Sequence, residues 1–235
     1  MRQLATLLFL GVLVTINGQE RSLTDSLCYR TEMQTTLAGG DHTPLWLNAN
    51  KYGLSSLKTA NAYVRGALVR PLSADEGRKW GLGYGADIAV AAGFTSTLVV
   101  QQAYVEGRWL KGTLTIGAKE QPMELKNQEL STGSQTFGIN ARPVPQVRIA
   151  LPDYWTIPGT RNWLALKGHI AYGKTTDDNW QKDFVAPENR YTEDALYHSK
   201  AGYLKVGPGR LTLNTKMLLI MLIHEIIFNK AHMSK

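Results

Sequence analysis

The sequence predicts an all-β protein whose strands form an antiparallel transmembrane β-barrel. The first observation behind this is the stretch Asn140–Gln181. Within it, Gln146–Leu151 sets Val147, Ile149 and Leu151 against Gln146, Arg148 and Ala150. Trp163–Gly173 sets Leu164, Leu166, Ile170 and Tyr172 against Lys167 and His169. A period of two puts each set on its own side of a sheet, one suited to grease and one to water. The second observation is composition: 22 Gly, 10 Tyr and 6 Trp in 235 residues, with 43% hydrophobic and 19% charged, describe an ordered, β-rich chain. The third is that Trp80, Trp109, Trp163 and Tyr172 stand near strand ends. Aromatic girdles occupy such positions in membrane strands, which run roughly 9–11 residues. A soluble sandwich also alternates, but seldom puts so much charge and glycine on its second face.

Tyr29–Leu37 is the first expected strand, with Tyr29, Thr31, Met33, Thr35 and Leu37 on one side. Ala38–Pro44 breaks it, and the aromatic run Leu45–Gly53 reads as a loop or short strand. Ala62–Arg70 is the second strand, followed by a polar turn at Leu72–Arg78. Trp80–Ala92 alternates most clearly. Trp80, Leu82, Tyr84, Ala86, Ile88 and Val90 form one face, and Gly81, Gly83, Gly85, Asp87, Ala89 and Ala91 the other. That second face is small with one carboxylate, as on a wall lining an enclosed space, and its glycines let a sheet curve. GLGYG within it is not a phosphate loop, because the glycines alternate at strand spacing and no helix follows.

Leu98–Trp109 puts Val99, Ala103, Val105 and Trp109 opposite Gln102, Tyr104, Glu106 and Arg108. A tight turn at Leu110–Gly112 leads into Thr113–Lys119, which makes a hairpin. Glu120–Gln135 reads as a polar loop, Pro152–Thr160 as a turn between the two strands of the opening stretch, and Lys174–Thr192 as a loop rich in Asp, Asn and Lys. Tyr197–Val206 is the last strand of about eight.

Three segments divide the chain. Residues 1–18 read as a cleaved export signal: Arg2, then the apolar run Leu4–Val14, then Thr15-Ile16-Asn17-Gly18 at the cut. The run is shorter than the roughly 20 residues a helical anchor needs. Residues 19–211 hold the strands. Residues 212–235 are an atypical tail, apolar from Met217 to Phe228 without alternation, apart from His224 and Glu225. A zinc-protease motif would need a second His at position 228, which is Phe. The single cysteine, Cys28, precludes an internal disulfide. Net charge is +7, and about +6 once Arg2 leaves with the signal. An exported basic chain attracts anions, and outside the cytoplasm nucleic acid is not the expected one.

Five motifs in order carry a resemblance: Gly40–Ser56 (GDHTPLWLNANKYGLSS), Val100–Gly107 (VQQAYVEG), Asn140–Pro152 (NARPVPQVRIALP), Trp163–Gly173 (WLALKGHIAYG) and Tyr197–Gly207 (YHSKAGYLKVG). Together they resemble the capsule assembly Wzi family across Tyr29–Gly207. The resemblance implies a porin-sized outer-membrane barrel of Gram-negative cells that holds capsular polysaccharide at the surface as a lectin. It implies no enzyme activity and no cofactor, with outer-membrane lipid and lipopolysaccharide as further partners. This chain would then carry the signal and the first half of such a barrel, as a truncated or frame-shifted product.

Sugar binding needs aromatic faces, polar groups and, for an acidic glycan, cations. The loops Asp153–Asn162 and Lys174–Thr192 offer Tyr154, Trp155, Arg161, Trp180 and Lys182 as candidates. The alternative is a porin-like channel for anionic solutes, with Lys119, Arg142, Arg148, Lys167 and His169 as a basic lumen, unless these are struts of a plugged barrel. An enzyme is disfavoured. No GxSxG nucleophile motif occurs, and the adjacent Asp177 and Asp178 would point apart on an extended segment.

Overall fold

The computed structural model describes residues 13–14, 26–121, 139–185, 189, 191, 194–207 and 213–215, of which 13–14 and 213–215 are described as backbone only. The expected signal, apart from Leu13–Val14, and the tail 216–235 lie outside the described residues. The fold is one antiparallel sheet in which every strand pairs with its sequence neighbour. The long strands are β2 (Cys28–Leu37), β3 (Ala60–Arg70), β4 (Trp80–Ala92), β5 (Leu98–Trp109), β6 (Gly112–Ala118), β7 (Pro145–Thr156), β8 (Leu164–Lys174) and β9 (Leu196–Val206). Short segments β1 (Leu13–Val14) and β10 (Leu213–Thr215) lie along β2 and β9. Among the described residues the two ends of the sheet do not pair with each other.

The two faces are inverted relative to a soluble protein. Val64, Ile88, Val90, Val105, Ile116, Ile149 and Tyr172 all project from one face and are exposed, Ile149 at 59%. The opposite face buries Arg65, Asp87, Gln102, Glu106, Thr115 and Gln146. This polar face lies on the inside of a curl. Leu72 and Glu76 from the β3–β4 turn line the same cavity as Tyr203 on β9. On a flat sheet, β4 and β9 would be five spacings of about 4.8 Å apart.

Two bulges change the expected pattern. In β5, Gln102 stands opposite Asp87 and Val100 opposite Ile88, so Gln101 is an extra residue. A bulge resets the alternation. Val99 therefore does not share a face with Ala103, Val105 and Trp109. It turns inward and packs with Leu54, Tyr63, Ala89 and Ala91, against which Phe94 also rests. In β7, the strand continues through Pro152–Thr156 where a turn was expected. Trp155 and Thr156 pair with Leu166 and Ala165 beyond a bulge, and the turn proper is residues 157–163. The run expected as a loop or short strand instead forms one helical turn, α1 (Leu45–Asn48), and the Lys174–Thr192 loop carries α2 (Trp180–Phe184).

The inner glycines of β4 have a steric cause. Gly85 faces Tyr104 and Gly83 faces Glu106 across the β4–β5 register. A Cβ at Gly85 would stand 2.6 Å from the Tyr104 ring, and one at Gly83 would stand 2.8 Å from Glu106. The small face therefore makes room for large side chains of its neighbour as well as letting the sheet bend.

Chain direction sorts the connections. At one end they are short: residues 71–79, 110–111 and 157–163. At the other end are the connections β2–β3 (residues 38–59), β4–β5 (93–97), β6–β7 and β8–β9; of the expected loop Glu120–Gln135, all but Glu120 and Gln121 lies outside the described residues. The short-turn end of β4 and β5 is closed by Trp80 and Trp109, which are register partners with rings 5.7 Å apart and stacked. At the long-loop end, the β2–β3 connection folds over the inner face and buries Leu54, Ser56 and Thr43. Ser56 Oγ donates to the Gly93 carbonyl, and Gln101 Nε2 donates to the Tyr52 carbonyl at 2.8 Å.

Candidate functional site

The inner face holds two kinds of polar surface. Across β2–β5, charges are paired. Arg65 Nε donates to Asp87 Oδ1 at 2.8 Å, and its Nη2 donates to Asp87 Oδ2 at 2.5 Å and to Glu120 Oε1 at 2.8 Å. Tyr63 donates to Glu32, and the Glu120 backbone N–H donates to Gln102 Oε1. Lys119 Nζ donates to both oxygens of Glu106. Period-two alternation delivers one such side chain per strand to the interior, and the curl brings them within reach. Buried charges are tolerable only when paired and hydrogen-bonded in this way.

The β3–β4 turn repeats the device at the short-turn end. Asp75 accepts from Arg70 Nη1 at 2.9 Å and from the Leu82 backbone N–H at 3.0 Å. These hydrogen bonds to the charged form, Arg70 first, pull the Asp75 carboxyl down to about 2. A depressed folded pKa gives stability that is fully present above the unfolded value and is lost as pH falls through the folded one. The turn should therefore hold at pH 5 and loosen between about pH 4 and pH 2. Amide exchange at Leu82, followed against pH, should show that opening in the native chain. In Asp75→Asn the acid dependence should disappear. If it persists unchanged in the variant, another carboxylate is responsible.

Across β6–β9 the inner face hollows out. A cavity of about 580 Å³ opens between these strands, β5 and the β3–β4 turn, lined by Lys119, Arg148, Lys167 and His169 and by the carboxylates Glu76, Glu106 and Asp153. Lys167 Nζ sits 5.7 Å from the centre of the Tyr203 ring, and Lys119 Nζ 4.9 Å from that of Tyr104. His169 Nε2 is 2.9 Å from Ser199 Oγ. Alanines Ala150 and Ala201 flank His169 in register on the two neighbouring strands, which leaves the hollow its depth.

Four of the five expected lumen residues thus meet in one cavity. The fifth, Arg142, stands apart in the connection before β7. It pairs with Asp178, donates to the Val100 carbonyl at 2.8 Å, and packs on Gly53, where its own atoms fill the place of a Cβ and a φ of +75° separately favours glycine. Lys119 is a strut on Glu106. The five expected glycan residues do not form one site. Tyr154 and Trp155 lie in the last part of β7 and Arg161 in the turn after it, at the short-turn end. Trp180 and Lys182 lie in α2, beyond the opposite end of β8. Trp180 packs on Phe184 with ring centres 5.1 Å apart, while Lys182 is exposed.

The adjacent aspartates are structural. Asp178 holds Arg142, and Asp177 accepts from the backbone N–H groups of Asn179 and Gln181 at the start of α2. Sequence reasoning overlooked Trp46 on α1, 64% exposed beside the exposed Leu45 at the long-loop end, and Tyr104 and Tyr203 inside the cavity. The latter two were findable, since alternation places Tyr203 on the face of Lys167.

Comparison with family models, with curated proteins and with solved structures matches none of them to this chain.

Proposed function

We propose that this chain forms the wall of an outer-membrane β-barrel whose long-loop end holds capsular polysaccharide, without chemistry on the glycan. The observation that carries the reading is the inverted sheet. Its exposed face is apolar from β3 to β8, with polar positions Thr31 and Thr35 on β2 and His198 and Lys200 on β9, a broader apolar surface than soluble monomers carry. Its inner face is polar, with the charges of β2–β5 held in ion pairs. Strands of 10–13 residues, with one shorter at 7, suit the hydrocarbon thickness. Connections of nine residues or fewer at one end, and three much longer ones beside the short 93–97 turn at the other, fit the periplasmic and extracellular ends of such barrels. The motif resemblance to the capsule assembly Wzi family supplies the polysaccharide, and the exposed Trp46 with Trp180 and Lys182 at the long-loop end supplies stacking and charge.

The test is capsule retention in encapsulated cells that depend on this protein. Trp46→Ala with Trp180→Ala should release at least half of the cell-bound capsule at unchanged protein level in the outer-membrane fraction. Tyr154→Ala with Trp155→Ala, at the other end, should release none. Equal retention in both pairs overturns the loop assignment. Absence of the native chain from the outer-membrane fraction overturns the reading as a whole.

The channel reading has one observation of its own, the basic cavity wall, but Lys119 is tied to Glu106 and the β2–β3 connection covers the inner face. Those contacts favour a plugged wall over an open anion path.

A further inference from the structure

The three short turns, residues 71–79, 110–111 and 157–163, carry an unbalanced charge. Arg78, Lys79, Lys111 and Arg161 are exposed there, and the carboxylates are Asp75 and Glu76. Asp75 is buried and already holds Arg70 and Arg78, while Glu76 lines the inner cavity. Lys79 and Lys111 have no ion-pair partner among the described residues.

The β4–β5 corner sets these two lysines beside exposed apolar surface. The Leu110 N–H donates to the Lys79 carbonyl at 2.7 Å, one step beyond the register pair Trp80–Trp109. Lys79 therefore stands opposite Leu110 and close to Lys111. Trp80 is 67% exposed, Trp109 61% and Leu110 52%. Leu110 adds an independent observation. Its φ is +56°, in the left-handed region where a tight turn favours Gly or Asn. A leucine here bears backbone strain to hold an apolar side chain at the tip of the turn, half open to the surroundings. The patch also ends the apolar outer face, since Trp80 follows Leu82 along β4 and Trp109 follows Val105 along β5 on that side.

Apolar tips flanked by unpaired ammonium groups fit a lipid leaflet at the level of its phosphates. Leu110 and the indole bodies enter the acyl region, and the indole N–H groups stay at headgroup level. Lysine stems lie along apolar surface while their ammonium groups reach phosphate oxygens. A zwitterionic headgroup brings its own cation to that phosphate. An anionic one leaves the phosphate charge for the protein, and the attraction falls off within a Debye length.

We propose that the β4–β5 corner is a binding site for the headgroup of an anionic phospholipid, with Lys79 and Lys111 holding its phosphate and Trp80, Trp109 and Leu110 seated among the acyl chains. The site rests on the membrane reading given above and adds a lipid preference to it, at the end of the sheet away from Trp46 and Trp180. Tryptophan quenching tests it. The full chain is folded into phosphatidylcholine vesicles that contain a small, equal fraction of acyl-brominated lipid, either phosphatidylglycerol or phosphatidylcholine. Brominated phosphatidylglycerol should quench the native chain about twofold more, because the two lysines raise its local concentration. Lys79→Gln with Lys111→Gln should make the two lipids equal. Trp80→Phe with Trp109→Phe should also remove the difference, because those indoles report the site. Lys174→Gln, whose ammonium pairs with Asp194 at the long-loop end, should keep it. Equal quenching of the native chain by the two lipids overturns the site, leaves the membrane reading standing and needs no variant to fold. Quenching by neither lipid overturns both. A difference that survives in either double variant puts the anionic lipid elsewhere on the protein, and one untouched by molar sodium chloride is not a charge preference; each result overturns the assignment.

Discussion

Ile149→Arg will keep the chain from folding into lipid vesicles under conditions where the native chain folds. Ile149 lies mid-way along β7 on the outer face, between register partners Leu114 on β6 and Ile170 on β8, all exposed. If lipid covers that face, an arginine there sits near the hydrocarbon midplane, where the cost is about 2–4 kcal/mol. That is roughly a thirty- to eight-hundred-fold loss in the folding equilibrium, since each 1.4 kcal/mol is tenfold. The matched control is Ser199→Lys on the inner face of β9, which meets the water side of the wall and should cost less than about 1 kcal/mol. Folding into vesicles across a urea series, read by tryptophan fluorescence, compares the two. Equal tolerance of both substitutions would mean that the outer face is covered by protein or water, and the membrane reading would fall with it.

The sheet was legible because its signal is local. In β4 every outward residue from Trp80 to Val90 and every inward one from Gly81 to Ala91 takes the side that period two assigns. What alternation could not show is a one-residue insertion among residues of like polarity. Gln101 and Gln102 are both buried, so the bulge between them leaves no mark in the pattern, yet it moved Val99 to the interior. Pro152 and Asp153 misled for a related reason. They are turn residues by type, but a bulge also tolerates them, and the strand resumes once Trp155 finds Leu166. The candidate residues divide on the same line. Parity placed Arg148, Lys167 and His169 together, because they are in-facing on adjacent strands. The two glycan loops fell at opposite ends because one strand, β8, separates them, and each strand crossed exchanges one end for the other. Counting strands would have revealed that. The pairing of Arg65 with Glu120, 55 residues apart, depends on the curl and is written nowhere in the local sequence.

Arg65→Met should be the most damaging single substitution on the inner face. Arg65 lies at the centre of three carboxylates: Asp87 at 2.5 Å, Glu120 at 2.8 Å and Glu32 at 3.9 Å. Asp87 is 1% exposed, so water cannot replace the guanidinium. Removing one member of a buried pair strands the other charge and costs about 3–5 kcal/mol. The double variant Arg65→Met with Asp87→Leu removes both buried charges and should recover at least half of the loss, because a well-packed apolar pair is often no worse than the ion pair it replaces. Urea midpoints of the native chain, both singles and the double, measured in the same micelles, close the cycle. Added salt should change the native midpoint little, since buried pairs are poorly screened. A loss below about 1 kcal/mol in Arg65→Met would place this cluster in water, as surface pairs are. The expected result carries a structural consequence. Glu120 follows β6 while Arg65 is on β3, so their contact is a chord across the inside of the sheet. Three strand spacings laid flat would separate the two strands by about 14 Å. The ion pairs therefore hold the curvature that gathers Lys119, Arg148 and Lys167 around one cavity, although Arg65 itself does not line it.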